Sequence, residues 1–255
     1  MWWRSLLAGA VALLLATLAL AEIPLDQRRS GYDMMSASTK AMQDDDTSNP
    51  ATLSVLDGEA LWSRKAGTDG KACADCHGDA AQSMRGVAAR YPAFGPAQGR
   101  PIDIEQRINI CRTEQQKAPP FAHESRDLLA LTAYVAKQSR GMPIEASGIQ
   151  SNVEAGRAFF HQRQGQLNLA CASCHDDNWG KKLGGTPIPQ AHPTGYPIYR
   201  LEWQGVGSFT RRLRNCLTGM RAELLPHGAP ELVDLEAYLM WRARGMKMEA
   251  PAVRP

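Results

Sequence analysis

The sequence predicts an all-α protein made of two tandem copies of one small domain. Three observations predict it. The pentapeptide C-x-x-C-H occurs twice, its first cysteines 98 residues apart. The stretches around the two copies align as an internal repeat. The longer apolar runs follow helical spacing, and no alternating run of useful length suggests a strand.

In chain order, Arg4 is the positive start of an export signal. "LLAGAVALLLATLAL" is its apolar centre, and "ALA" before Glu22 is a small-residue cleavage site. The run is short for a membrane span and no stop-transfer pattern follows. The expectation is a removed leader, the alternative being an uncleaved anchor, with a mature chain starting near Glu22 in a periplasm. Residues 22–50 are polar and acidic. They read as an arm over a domain or a partner, or equally as partly disordered chain. About 230 residues then remain, enough for one large domain or two ordinary ones.

The balance of 29 Lys+Arg against 26 Asp+Glu gives a net charge of only +3, which offers no footprint for nucleic acid. No later segment is apolar and long enough to span a membrane.

The six cysteines are the informative residues. Cys73, Cys76 and His77 form "CADCH", and Cys171, Cys174 and His175 form "CASCH". This spacing is the attachment signature of c-type haem. Both thiols fall on one helical turn and can add to the haem vinyl groups, and the adjoining His can ligate the iron. Two copies behind an export signal outweigh a structural zinc site, which would need the two cysteine pairs brought together. The fold class is therefore all-α, two tandem cytochrome c-type haem domains.

The repeat extends through the other elements. "GEALWSRKAGTDGKACADCHGD", "YPAFG", "RINICRTE" and "LLALTAYVAKQSRGMPIE" are matched by "GRAFFHQRQGQLNLACASCHDD", "YPIYR", "RLRNCLTGM" and "LVDLEAYLMWRARGMKME". Gly58 matches Gly156, Tyr91 matches Tyr196 and Cys111 matches Cys216. The extra residues of the second copy lie in "GKKLGGTPIPQAHPTG", whose glycines and prolines read as irregular chain. Segments around Cys111 and Cys216 have helical spacing. So do the closing segments, the second with Pro230 near its start and each with a Gly suited to a C-cap. The expected organisation is a leader at 1–21, the arm at 22–50, an N-terminal cytochrome c domain at 51–148 and a C-terminal one at 149–255.

Each iron needs a second ligand or an open site. Met142 and Met246 are equivalent, but each follows the closing helix. Cys111 and Cys216 are also equivalent, and each lies between its haem motif and that helix. A thiolate stabilises ferric iron, so His/Cys ligation is favoured at both haems: His77 with Cys111, and His175 with Cys216. A Cys111–Cys216 disulfide and inert buried thiols are the alternatives. Arg107 and Arg212 each precede the cysteine by four residues, on the same helical face. The second copy adds Arg211, Arg214 and Arg221. Arginine suits sulfur oxyanions, and a cationic rim lowers a thiol's pKa. An anion-binding pocket around Cys216 is the functional reading, and a solvated basic face is the bland one.

The two haem motifs, "NICRTE", "RRLRNC" and the two "RGM" helix ends resemble SoxA, the dihaem cytochrome c family of bacterial thiosulfate oxidation. The resemblance covers essentially the whole mature chain. It implies a pairing with SoxX, a small monohaem cytochrome. It also implies oxidative joining of thiosulfate to a cysteine of the carrier SoxYZ, giving a cysteine S-thiosulfonate and releasing two electrons through haem. It carries the active-site cysteine, able to hold an extra sulfur as a persulfide, onto Cys216, and the substrate-binding arginine onto Arg212. The rivals are a non-enzymatic dihaem electron carrier, a tetrathionate-forming thiosulfate dehydrogenase and a dihaem peroxidase.

Overall fold

The computed structural model describes residues 23–255; the predicted leader, 1–21, lies outside them. The first half runs α2 (Ala51–Ser63), α3 (Cys73–His77), α4 (Ala80–Ser83), the hairpin β1 (Ala93–Gly95) and β2 (Arg100–Ile102), α5 (Ile104–Gln115) and α6 (Arg126–Lys137). It is preceded by α1 (Ala37–Asp44) in the arm. The second half runs α7 (Gln150–His161), α8 (Cys171–His175), the small hairpin β3 (Lys182–Leu183) and β4 (Thr186–Pro187), the hairpin β5 (Ile198–Arg200) and β6 (Gly205–Gly207), α9 (Phe209–Gly219) and α10 (Pro230–Arg242). Strand β7 (Ala252–Arg254) closes the chain by pairing in parallel with β5, giving a three-stranded sheet ordered β6-β5-β7. The fold is mostly helical, as expected. Its strands have two or three residues each, too short to leave an alternating pattern in the sequence.

Local chemistry starts the helices that matter. Asp103 accepts from the Gln106 N–H at 2.7 Å and Gln106 accepts in return from the Asp103 N–H at 3.0 Å, a capping box at the head of α5. Ser208 caps α9 by accepting from the Arg211 N–H at 2.9 Å. Pro230 opens α10, where its missing N–H costs nothing.

Helix α6 buries Leu128, Leu131 and Val135, and α10 buries Leu232, Leu235 and Leu239. Each such side chain contributes about 1.5–3 kcal/mol of transfer free energy. In each half the closing helix lies across the opening one, α6 on α2 and α10 on α7. A Cβ on Gly58 would sit 2.1 Å from the Ala130 carbonyl oxygen, and one on Gly156 would sit 1.9 Å from that of Asp234. Backbone meets backbone at both crossings, which is why both copies have Gly there.

Each half has its own core, one around Leu61, Trp62 and Leu131, the other around Phe160, Leu217 and Leu232. A third cluster, with Ala88, Ile144, Met240 and Met248, fills the seam between them. The two "RGM" ends pair across this seam. Gly141 N–H donates to the Met248 carbonyl at 2.8 Å and Met248 N–H to the Met142 carbonyl at 2.8 Å, while Ile144 N–H donates to the Met246 carbonyl at 2.9 Å. Met142 and Met246 thus belong to the strap that joins the halves.

The arm is ordered and wraps over the folded body. Gln43 Oε1 accepts from the Val253 N–H at 3.1 Å, and Asn49 Nδ2 donates to the Pro251 carbonyl at 3.2 Å. Asp46 pairs with Lys137 and Arg140 of the first half, each at 2.6 Å. The arm therefore binds the end of the chain to the end of α6.

Candidate haem and thiol site

Helix α8 carries Cys171, Cys174 and His175 on a single turn. His175 Nδ1 lies 2.7 Å from the Pro189 carbonyl oxygen. A carbonyl only accepts, so Nδ1 holds the proton and Nε2 keeps its lone pair. Orientation by a backbone carbonyl is the usual second support of a metal-binding imidazole. Behind the ring, Phe160 stands 6.5 Å away, and Arg242 pairs with Asp176 while lying over the Phe160 ring.

Helix α9 brings Cys216 to this imidazole. The Arg212 guanidinium lies one turn before Cys216 on the same helix. Burial pushes the Cys216 thiol up, but the proximity of His175 and the charges of Arg212 and Arg200 outweigh it. The thiol is held below its ordinary value. Arg212 is in turn held above its ordinary value: burial opposes its charge, and Cys216 and Tyr196 more than compensate. Tyr196 packs on Phe209 with ring centroids 4.7 Å apart, and burial pushes its phenol up to about 12, so it stays neutral.

This donor set fits haem. Two thiols one turn apart, an oriented imidazole and a facing sulfur are the groups that attach and ligate a c-type haem. Burial pushes Cys171 up to about 12 and Cys174 upward. Cys216 alone among these thiols is shifted toward the thiolate.

The first half repeats the plan with a difference. Cys73, Cys76 and His77 share α3, with Trp62 at 5.7 Å from the His77 ring and its Nε1 donating to the Gly78 carbonyl at 2.9 Å. Arg107 donates to the Tyr91 hydroxyl at 3.3 Å, and its charge acts on Cys111. Here burial wins: the Cys111 thiol lies above its ordinary value despite Arg107. The equivalent cysteines are thus electrostatically unlike.

No disulfide links Cys111 to Cys216. Among the described residues no group of three or more His, Cys, Asp or Glu side chains forms a metal cage.

The expected basic rim is narrower than the sequence suggests. Of the arginines on α9 and after it, Arg212 acts on Cys216 through its charge. Arg211 lies over Trp203 at 4.3 Å and pairs with Glu124 at 3.7 Å. Arg214 donates to the Leu225 carbonyl, and Arg221 is exposed. A different arginine, Arg200, takes part instead. Its signal was present in the repeat, where "YPIYR" stands against "YPAFG". The role of Pro189 had no signal, because it lies in the irregular insertion.

The family model "SoxA/TsdA, cytochrome c domain" matches residues 57–144 and 155–248. The L-cysteine S-thiosulfotransferase subunit SoxA of Pseudaminobacter salicylatoxidans is 39% identical over 235 residues, covering 91% of this chain and 82% of that protein. The subunit of the same name from Rhodovulum sulfidophilum is 37% identical over 232 residues, covering 90% and 81%. The structure of SoxXA from P. pantotrophus superposes with a TM-score of 0.85 at 30% identity, covering 89% of this chain and 87% of that one. With both halves matched and the relatives covered nearly end to end, the chain belongs to the SoxA family, the subunits of L-cysteine S-thiosulfotransferase, and carries covalently bound haem.

Proposed function

We propose that the second half is the catalytic centre of a periplasmic enzyme that oxidatively joins thiosulfate to a cysteine of a SoxYZ-type carrier. The first and second halves each hold one haem, through Cys73 and Cys76 and through Cys171 and Cys174. His77 and Cys111 would ligate the iron of the first, and His175 and Cys216 that of the second. A SoxX-type monohaem cytochrome completes a heterodimer. The observation that carries this reading is the placement of Cys216, opposite an oriented His175 and one turn from Arg212.

Bound haem supplies a one-electron acceptor beside the reacting sulfur. The chain's own residues do the rest. Arg212 draws the thiosulfate dianion in and holds its sulfonate oxygens with a planar fork of donors. Its charge also shifts Cys216 toward the thiolate, the reactive form. Thiosulfate's outer sulfur joins the Cys216 sulfur as two electrons pass, one at a time, to an external cytochrome c acceptor. The carrier thiolate then attacks that outer sulfur, an S–S bond forms to the carrier, and Cys216 departs as thiolate. The carrier leaves as a cysteine S-thiosulfonate. His175, fixed by Pro189, keeps the opposite side of the site in place. An extra sulfur carried on Cys216 as a persulfide fits the same position.

Reconstitution tests this reading. Electron release to a cytochrome c acceptor should require thiosulfate and the carrier together. Electron release with thiosulfate alone, yielding tetrathionate, would mark a thiosulfate dehydrogenase. No release under any combination would mark a simple electron carrier.

A further inference from the structure

Arg200 is an anomaly of burial. It lies on β5 at the same face as Ile198, which is 4% exposed, and its own side chain is 9% exposed. Successive strand residues alternate faces, so this arginine points into the protein. Arginine is almost never buried unless paired. Its pairing is thin. Nη2 meets Glu202 at 2.8 Å, but Glu202 is 60% exposed, so water screens that bond. The guanidinium lies 5.3 Å from the Trp203 ring, and its Nε is buried and donates to no group among the described residues.

The repeat isolates what is special here. Position 95 is the first-half equivalent of Arg200, and it is Gly. In the first half the arginine stands on the opposite strand, where Gly95 pairs with Arg100. In the second half the order is exchanged, and Arg200 pairs with Gly205. Arg100 is only half-buried and donates to its neighbour's carbonyl, Pro101. Arg200 instead sits on the central strand, between β6 and β7, which fixes its direction. Arg107 and Arg212 are common to both halves. Arg200 belongs only to the half that carries Cys216.

Arg200 also interacts with Arg212, Tyr196 and Cys216. Two guanidiniums drawn together in a partly dry site repel. Against them stands one carboxylate screened by water, Glu202. A divalent oxyanion would satisfy the unused donors and offset the repulsion.

We propose that Arg200 is the second arginine of the substrate seat, holding the sulfonate oxygens of thiosulfate beside Cys216 together with Arg212. This rests on Cys216 being the reacting sulfur. It makes Arg200 the residue that distinguishes the catalytic half from the first.

The test is the kinetics of Arg200→Gln in the full haem-loaded complex, with thiosulfate and carrier varied separately. One lost charged hydrogen bond is worth a rise in the thiosulfate KM of about 10- to 100-fold. The carrier KM, the haem spectrum and the haem potential should stay at parent values. Arg200→Lys should recover part of the loss. Glu202→Gln, at an exposed site, frees Arg200 and should lower the thiosulfate KM even if Arg200→Gln folds poorly. An unchanged thiosulfate KM in Arg200→Gln overturns the inference. So does a shifted haem potential with that KM unchanged, which would assign Arg200 to a haem carboxylate. So does a Glu202→Gln variant whose thiosulfate KM rises, which would make the Arg200–Glu202 pair structural. If Arg212→Gln loses turnover while Arg200→Gln keeps the parent KM, only this inference fails. If neither Arg212→Gln nor Cys216→Ser alters turnover, the reading of the site itself fails.

Discussion

Substituting Gly156 by Ala tests the packing that holds the second haem motif in place. In an exposed helix interior this change stabilises by about 1 kcal/mol, because Ala loses less backbone freedom. At Gly156 the new methyl carbon would stand 1.9 Å from the Asp234 carbonyl oxygen and 2.5 Å from its carbon. Ordinary contact begins near 3.4 Å, so the crossing is about 1.5 Å too tight. The obstacle is backbone, which cannot rotate aside, so α7 and α10 must separate. Such overpacking costs about 3 kcal/mol, the upper part of the usual range. The helix gain offsets a third of that, leaving a net loss of about 2 kcal/mol. For a domain pair of this size, that lowers Tm by roughly 4–8 °C. Gly219→Ala is the control. Gly219 ends α9, and a methyl carbon there would meet nothing within 4 Å, so its change should be neutral or slightly stabilising. Guanidinium and thermal unfolding of the haem-loaded protein measure both. A Gly156→Ala protein as stable as its parent would refute the backbone-contact argument.

Two further outcomes follow from the same structure. Burial, aided by Arg242 and Arg28, pushes His192 down to about 4, although its bond to the Arg29 carbonyl opposes this. The unfolded chain therefore takes up this proton first as pH falls through about 6.5. Stability is lost between about 6.5 and 4, by at most about 3 kcal/mol. Unfolding midpoints of His192→Gln should be less pH-dependent over that window, and an unchanged slope would contradict it. Ser208→Ala removes the cap of α9 and should cost about 1 kcal/mol. Because α9 carries Arg212 and Cys216, the same variant should also weaken turnover, and a loss in neither would show the cap to be idle.

The haem motifs were legible because attachment depends on five consecutive residues. The repeat was legible because both halves kept the same glycine crossing, the same tyrosine and the same cysteine. Arg107 and Arg212 were legible as one-turn neighbours of those cysteines. The direction of the remaining arginines was not. Successive helix positions point about 100° apart, so Arg211 and Arg214 leave the face that Arg212 shares with Cys216. Arg200 was hidden for another reason. Its strand becomes central only when β7, about fifty residues later, pairs beside it. The arm was equally ambiguous, because its order comes from contacts made by Gln43, Asp46 and Asn49 with distant chain. The opposite pKa shifts of Cys111 and Cys216 arise from what surrounds each thiol in space.

The central claim is that chemistry occurs at Cys216 and not at its equivalent. Its most direct test is thiosulfate- and carrier-dependent turnover of Cys216→Ser and Cys111→Ser side by side, each with both haems retained. The account predicts that Cys216→Ser loses turnover while Cys111→Ser keeps it and changes only the absorption of the first haem. Full turnover by Cys216→Ser, or equal loss in both variants, would contradict it.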